Sequence, residues 1–60
     1  MKAKRSDPEN YVYTLAAVRG RFRRGYVDAY VFIPNEGTVV RVTEKNYQRV
    51  ARRFRRAANQ

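Results

Sequence analysis

Arg49, Arg52, Arg53, Arg55 and Arg56 fall within one short stretch, Tyr47 to Ala58, interleaved with Val50, Ala51 and Phe54. At about 100° per residue, a helix written this way gathers its apolar side chains into an arc of about 120° and sends the guanidinium groups to the other side. The chemistry such residues perform is attraction. Guanidinium presents forked donors that match phosphate oxygens and a plane that stacks on bases. Arg19, Arg21, Phe22, Arg23 and Arg24 form a second basic cluster around one aromatic ring, with Gly20 and Gly25 beside them. That combination suits neutralisation of a phosphate backbone plus stacking or wedging of the ring. The alternative is a charged turn whose Phe22 folds back onto the core. Tyr26, Tyr30 and Phe32 with Arg41 make a third candidate, a platform for unpaired bases, which Tyr11 and Tyr13 join if the first segment turns its aromatic side and not Val12, Ala16 and Val18 to the same face. The competing explanation is that aromatic residues simply favour strands and pair with one another.

Reactive groups are scarce beside this. The chain has no histidine and no cysteine, which removes the commonest general base, the commonest nitrogen ligand and any thiolate. Asp7, Glu9, Asp28, Glu36 and Glu44 show no paired spacing, and no serine has a base beside it. We expect no catalytic residues, no metal, no cofactor and no small-molecule substrate. Asp28, the one acid inside an apolar run, is expected to form a salt bridge to an arginine such as Arg41.

The elements that position these groups follow from pattern. Residues 1–10 are polar and basic and read as a flexible arm; residues 11–60 form a single domain. Tyr11 to Val18 is aromatic, β-branched or small, which predicts a strand. Arg19 to Gly25 then closes a hairpin with a basic tip. Tyr26 to Ile33 is the strongest strand signal, Pro34-Asn-Glu-Gly37 a turn, and Thr38 to Val42 a third strand. Thr43 caps the helix that follows, with Glu44 at the positive end of its dipole. Alternation places Val27, Ala29, Val31, Ile33, Val40 and Val42 on one face, and Tyr26, Asp28, Tyr30, Phe32 and Arg41 on the other. Tyr47, Val50, Ala51, Phe54 and Ala58 supply the cover for the aliphatic face. The expected fold is α+β: a three-stranded antiparallel sheet packed on one C-terminal helix, β-β-β-α.

Sixty residues bearing a net charge of +9 bound the function. A small domain so charged repels itself, and an anionic partner relieves the repulsion. Arginine outnumbers lysine eleven to three, and the 43% hydrophobic content suits a folded domain. No apolar run is long enough to cross a bilayer, and Lys2, Lys4 and Arg5 are followed by polar residues where a signal peptide would be apolar. The expected location is the cytoplasm, away from membranes.

Arg24-Gly25-Tyr26 and Ala29-Tyr30-Val31-Phe32 look like fragments of the signature strand of RNA-recognition motifs. Two extra residues separate them, and the chain is too short for that fold's β-α-β-β-α-β order, which excludes membership. The β-β-β-α order over residues 11–58 resembles the core of double-stranded-RNA-binding domains, without their first helix and with the basic cluster later in the last helix. The same order is similar to DNA-binding domains of the integrase arm-binding and plant AP2 types. In size, arginine content and basic arm, the whole chain resembles small archaeal ribosomal proteins. That resemblance implies a structural component that neutralises ribosomal RNA phosphates beside neighbouring proteins of a ribonucleoprotein. The expected function is therefore non-catalytic nucleic-acid binding, RNA before DNA. The residues carrying it would be Arg19, Arg21, Phe22, Arg23, Arg24, Tyr26, Tyr30, Arg41, Arg49, Arg52, Arg53, Arg55 and Arg56. A chromatin-type or regulatory DNA-binding protein is the alternative, followed by an interaction module for an acidic protein.

Overall fold

The first element is a helix where residue types predict a strand. A computed structural model describes residues 4–58, in the order α1 (Leu15–Arg23), β1 (Asp28–Ile33), β2 (Thr38–Thr43) and α2 (Tyr47–Ala58). The fold is α+β with a two-stranded antiparallel sheet and two helices, which corrects the expected β-β-β-α arrangement. The likeness to double-stranded-RNA-binding, integrase arm-binding and AP2 domains rested on that order and falls with it.

Local chemistry explains α1. Thr14 has extended backbone angles (φ −136°, ψ 156°), and its hydroxyl accepts the Ala17 N–H at 3.1 Å. This is an N-cap, followed by the strong helix formers Leu15, Ala16 and Ala17. Val18 and Phe22, four residues apart, then turn one stripe inward, and Val18 is fully buried. The helix closes at Gly25, whose φ of 92° favours glycine. Gly25 N–H donates to the Phe22 carbonyl and Tyr26 N–H to the Arg21 carbonyl, both at 3.0 Å, the paired bonds of a Schellman ending. The glycine that suggested a hairpin tip is thus a helix stop.

The hairpin β1–β2 follows the alternation closely. Asp28 pairs with Thr43, Tyr30 with Arg41, Phe32 with Val39 and Ile33 with Thr38. Residues 34–37 form its turn, in which Gly37 adopts φ 65° and donates to the Ile33 carbonyl at 2.9 Å. Tyr26 and Val27 lie outside β1, and Val27 is exposed.

Where the first strand, Tyr11 to Val18, was expected, only a single parallel bridge stands before α1. Val12 N–H donates to the Tyr30 carbonyl at 2.8 Å and its carbonyl accepts from Phe32 at 2.9 Å. Lys4 bridges Tyr26 in the same sense, its carbonyl accepting from Val27 at 2.8 Å. The direction is parallel because α1 acts as the crossover between Val12 and β1, where a short hairpin would have made it antiparallel. Within the expected arm, Ser6 is tied to Asp28 by two bonds, and Asp7 closes a turn with Glu9 and Asn10.

Both helices cover the aliphatic sheet face. Val18 from α1 joins Ala29, Val31, Ile33 and Val42 from the sheet and Val50 and Ala57 from α2, with Val12, Phe22, Val40, Tyr47 and Phe54 packed around them. Phe22 meets Tyr47 edge-on at 6.4 Å, joining the end of α1 to the start of α2. Thr43 does not cap α2. Its hydroxyl accepts from Asn46 N–H in a turn, and the Asn46 carbonyl takes the first helical bond, from Val50 N–H at 3.1 Å. At the other end, the Asn35 side chain donates to the Ala57 carbonyl and ties α2 to the hairpin turn.

Candidate nucleic-acid interface

The turn between the strands sorts the arginines of α2. Glu36 reaches across from the hairpin, and Arg53 Nε lies 3.0 Å from both of its carboxylate oxygens, with a further bond from Nη2. The bonded guanidinium holds the Glu36 carboxyl below its ordinary value. Arg53 sits beside the apolar stripe, and its guanidinium is engaged by an intramolecular partner. Arg49, Arg52, Arg55 and Arg56 are exposed and carry no ion pair among the described residues. Arg49, Arg52 and Arg56 form one ridge along the outer side, about 10 Å long at 1.5 Å per residue. Lys45 extends it, sharing a shallow depression with Arg49.

The residues expected at a hairpin tip lie on α1 and its cap. Arg19 and Arg23 are exposed, one turn apart, and Arg24 is the exposed C-cap. Arg19 lines a groove between the helices with Phe22, Glu44, Tyr47 and Gln48. Phe22 is half-buried against the core, not a free ring. Arg21 is also half-buried: it donates to the Asn10 carbonyl at 3.2 Å and lies 5.3 Å from the centre of the Tyr26 ring. Tyr26 is therefore held between Arg21 and Lys4, whose ammonium lies 5.5 Å from the ring, and not in the ring cluster of the sheet.

The far side of the sheet carries the other rings. Tyr11, Tyr13 and Phe32 cluster with centroids 5.3 to 6.1 Å apart. Tyr13 is 59% exposed. Tyr30 and Phe32 share this face with their cross-strand partners Arg41 and Val39. Of the expected platform, Phe32, Tyr11 and Tyr13 come together on this face, whereas Tyr26 does not.

Asp28 organises the same face. It is 2% exposed, accepts the Ser6 N–H at 2.8 Å and takes Arg41 Nε at 2.9 Å, so the expected Asp28–Arg41 pair forms. Burial pushes its carboxyl up, but the Ser6 N–H and the Arg41 guanidinium, with Arg5 nearby, outweigh burial and hold it below the usual aspartate value.

The molecule is consequently two-sided. Arg19, Arg23, Arg24, Arg49, Arg52, Arg55 and Arg56 belong to the helical layer, and Tyr11, Tyr13, Tyr30 and Phe32 to the opposite face of the sheet. The residues expected to act together divide between the two sides of a thin domain. Among the described residues no group of acidic side chains converges as a metal site would require, and no helix is long and apolar enough to cross a membrane. Comparison with protein-family models, curated proteins and solved structures found no match to this chain.

Proposed function

We propose that the protein binds nucleic acid without catalysis, gripping phosphates with the arginines of its helical layer. The observation that carries this reading is the division of the charges. The acids that engage arginines, Asp28 and Glu36, occupy Arg41 and Arg53. Eight others remain exposed without an ion pair among the described residues, Arg5 and the seven of the helical layer (Arg19, Arg23, Arg24, Arg49, Arg52, Arg55 and Arg56). Tyr13, the most exposed ring, lies on the other side, whereas Phe22, Tyr47 and Phe54 of this layer are half-buried in the packing, so the layer offers mainly cations. Such a surface suits the phosphate rails of a duplex and reads backbone rather than base sequence. RNA is the target favoured by the ribosomal-type composition, with a structural role inside a cytoplasmic ribonucleoprotein and neighbouring proteins as further partners.

The test is cosedimentation of the protein with ribosomal subunits in moderate salt, beside titration of duplex RNA and duplex DNA at several salt concentrations. Binding that weakens steeply with salt supports the phosphate mechanism, and a flat response refutes it. Absence from subunits together with tight binding to duplex DNA replaces the RNA role by a chromatin-type one.

A further inference from the structure

We propose that the open face of the sheet is a second nucleic-acid site, one that stacks unpaired bases, so that one molecule holds a duplex on its helices and a single strand on its sheet. The second site is argued independently of the helical one, although the bridging of two strands rests on both.

Ring geometry supports it first. Tyr11 and Phe32 lie nearly parallel, 27° apart at 6.0 Å, and Tyr13 leans over both with most of its surface in solvent. Tyr30 continues the row along β1. A sheet presenting rings in this way accepts bases on their faces, which every base possesses. Charge supports it second. Arg41 is bound to Asp28 through Nε alone, and its two Nη groups carry no hydrogen bond among the described residues. The pairing fixes the guanidinium opposite Tyr30 and leaves its outer donors for a phosphate or a base edge. Arg5 is close enough to Asp28 to add its charge to that of Arg41, so two guanidinium groups offset the one buried carboxylate.

Size decides between a strand of nucleic acid and a second copy of the chain. Six-residue strands at about 3.3 Å per residue, in three tracks about 4.8 Å apart counting the Val12 segment, span only about 200–300 Å². A stable protein interface needs about 800 Å² from each partner. The face is too small for a dimer, and a second copy would bring like charge to Arg41 and Arg5. Two or three stacked bases match its extent.

The experiment titrates fluorescently labelled oligodeoxyuridine, oligouridine and a blunt duplex into the full chain, and adds a duplex and a single strand carrying donor and acceptor dyes. Energy transfer between the two dyes should require the protein. Tyr13→Ala should weaken single-strand binding about fivefold or more, the loss expected for one stacked base, and leave duplex binding unchanged. Tyr13→Phe, which keeps the ring, should restore it. Equal response to the deoxy and ribo strands assigns the site to bases alone, and a preference for oligouridine adds the 2′-hydroxyl to what it reads. Single-strand affinity indifferent to Tyr13, or lost only with the arginines of α2, overturns the proposal. So does a dimer in sedimentation that Tyr13→Ala dissolves. Tyr13-dependent single-strand binding without any salt-sensitive duplex binding would refute the helical reading and leave the sheet site standing.

Discussion

Replacing Arg52, Arg55 and Arg56 together by glutamine tests the helical layer most directly, because all three are exposed and free of ion pairs among the described residues. If each of the seven exposed arginines of that layer neutralises one duplex phosphate, the log–log dependence of affinity on salt has a slope of about −0.9 × 7, or about −6. The triple variant keeps four contacts and a slope of about −3.6. A fourfold rise in salt, from about 50 to 200 mM, then weakens the native chain about 6,000-fold and the variant only about 150-fold. Anisotropy of a labelled duplex across that range measures both. Arg53→Gln is the internal control. Its guanidinium is committed to Glu36, so its removal should leave the slope unchanged. Circular dichroism should show the triple variant folded, since the apolar stripe Val50, Ala51, Phe54 and Ala57 is untouched. A slope equal in the native chain and the triple variant, or one that falls with Arg53→Gln alone, would refute the assignment of the phosphate surface.

Asp28→Asn should cost about 1–3 kcal/mol, the usual penalty for disturbing a buried hydrogen-bonded group, read as a fall in the denaturation midpoint. Because the folded carboxyl titrates below its unfolded value, the unfolded state binds more protons between the two values. The stabilisation is complete above the ordinary aspartate value of about 3.9 and is lost as pH falls through the lower folded one. Acid unfolding curves should show this loss in the native chain and not in Asp28→Asn. Arg41→Gln removes a group that lowers the carboxyl, so its acid-dependent loss should begin at the same unfolded value, be smaller and end at a higher pH. Phe22→Ala should lower stability by about 2–3 kcal/mol, toward the value for a core ring, while the salt slope of any protein still folded stays native; a changed slope with unchanged stability would return Phe22 to the binding surface. Thr14→Ala should cost about 0.5–2 kcal/mol through loss of the N-cap, seen as reduced helix content and an earlier melt.

The hairpin and the second helix were legible because one local pattern governs each. Alternation from Asp28 to Ile33, the Pro34–Gly37 turn and the Tyr47, Val50, Ala51 and Phe54 stripe of α2 appear where the residues place them, with Ala57 buried beside it and the side chain of Ala58 outside the described residues. The first helix was not legible because two patterns are fused without a gap. Tyr11-Val12-Tyr13 is extended against β1, and its alternation runs into Leu15-Ala16-Ala17-Val18, whose helical stripe continues to Phe22. Thr14 and Gly25 marked the boundaries, as cap and stop, but a glycine beside basic residues equally fits a hairpin tip. The placement of the candidate binding residues was half legible for another reason. Exposure of Arg49, Arg52, Arg55 and Arg56 follows from the helix alone, whereas the loss of Arg53 to Glu36 depends on a contact between residues seventeen positions apart. Arg21 was misplaced through the same error that misplaced α1.

The arrangement of charge on α2 has a consequence for stability as well as for binding. Arg52 and Arg56 lie one turn apart on the same side, and a like-charged pair at that spacing destabilises a helix by about 0.2–0.5 kcal/mol. Arg49 stands in the first turn, against the positive end of the dipole, where Arg55 and Arg56 in the last turn favour it. The helix persists because Val50, Ala51 and Ala57 are buried and because Glu36 and Asn35, both from the hairpin turn, hold its C-terminal half. A polyanion laid along the outer ridge would convert each repulsion into a contact, and it would do so only in the folded chain, where the ridge exists. Binding and folding are then linked, and the anion stabilises the fold by mass action. In a sixty-residue domain, which buries only about 60% of its unfolded surface, that link is large relative to the stability it augments. The same arginines that strain the free helix would thus hold the bound one together, and the two acids that form ion pairs, Asp28 and Glu36, are placed where they secure the fold without neutralising the ridge.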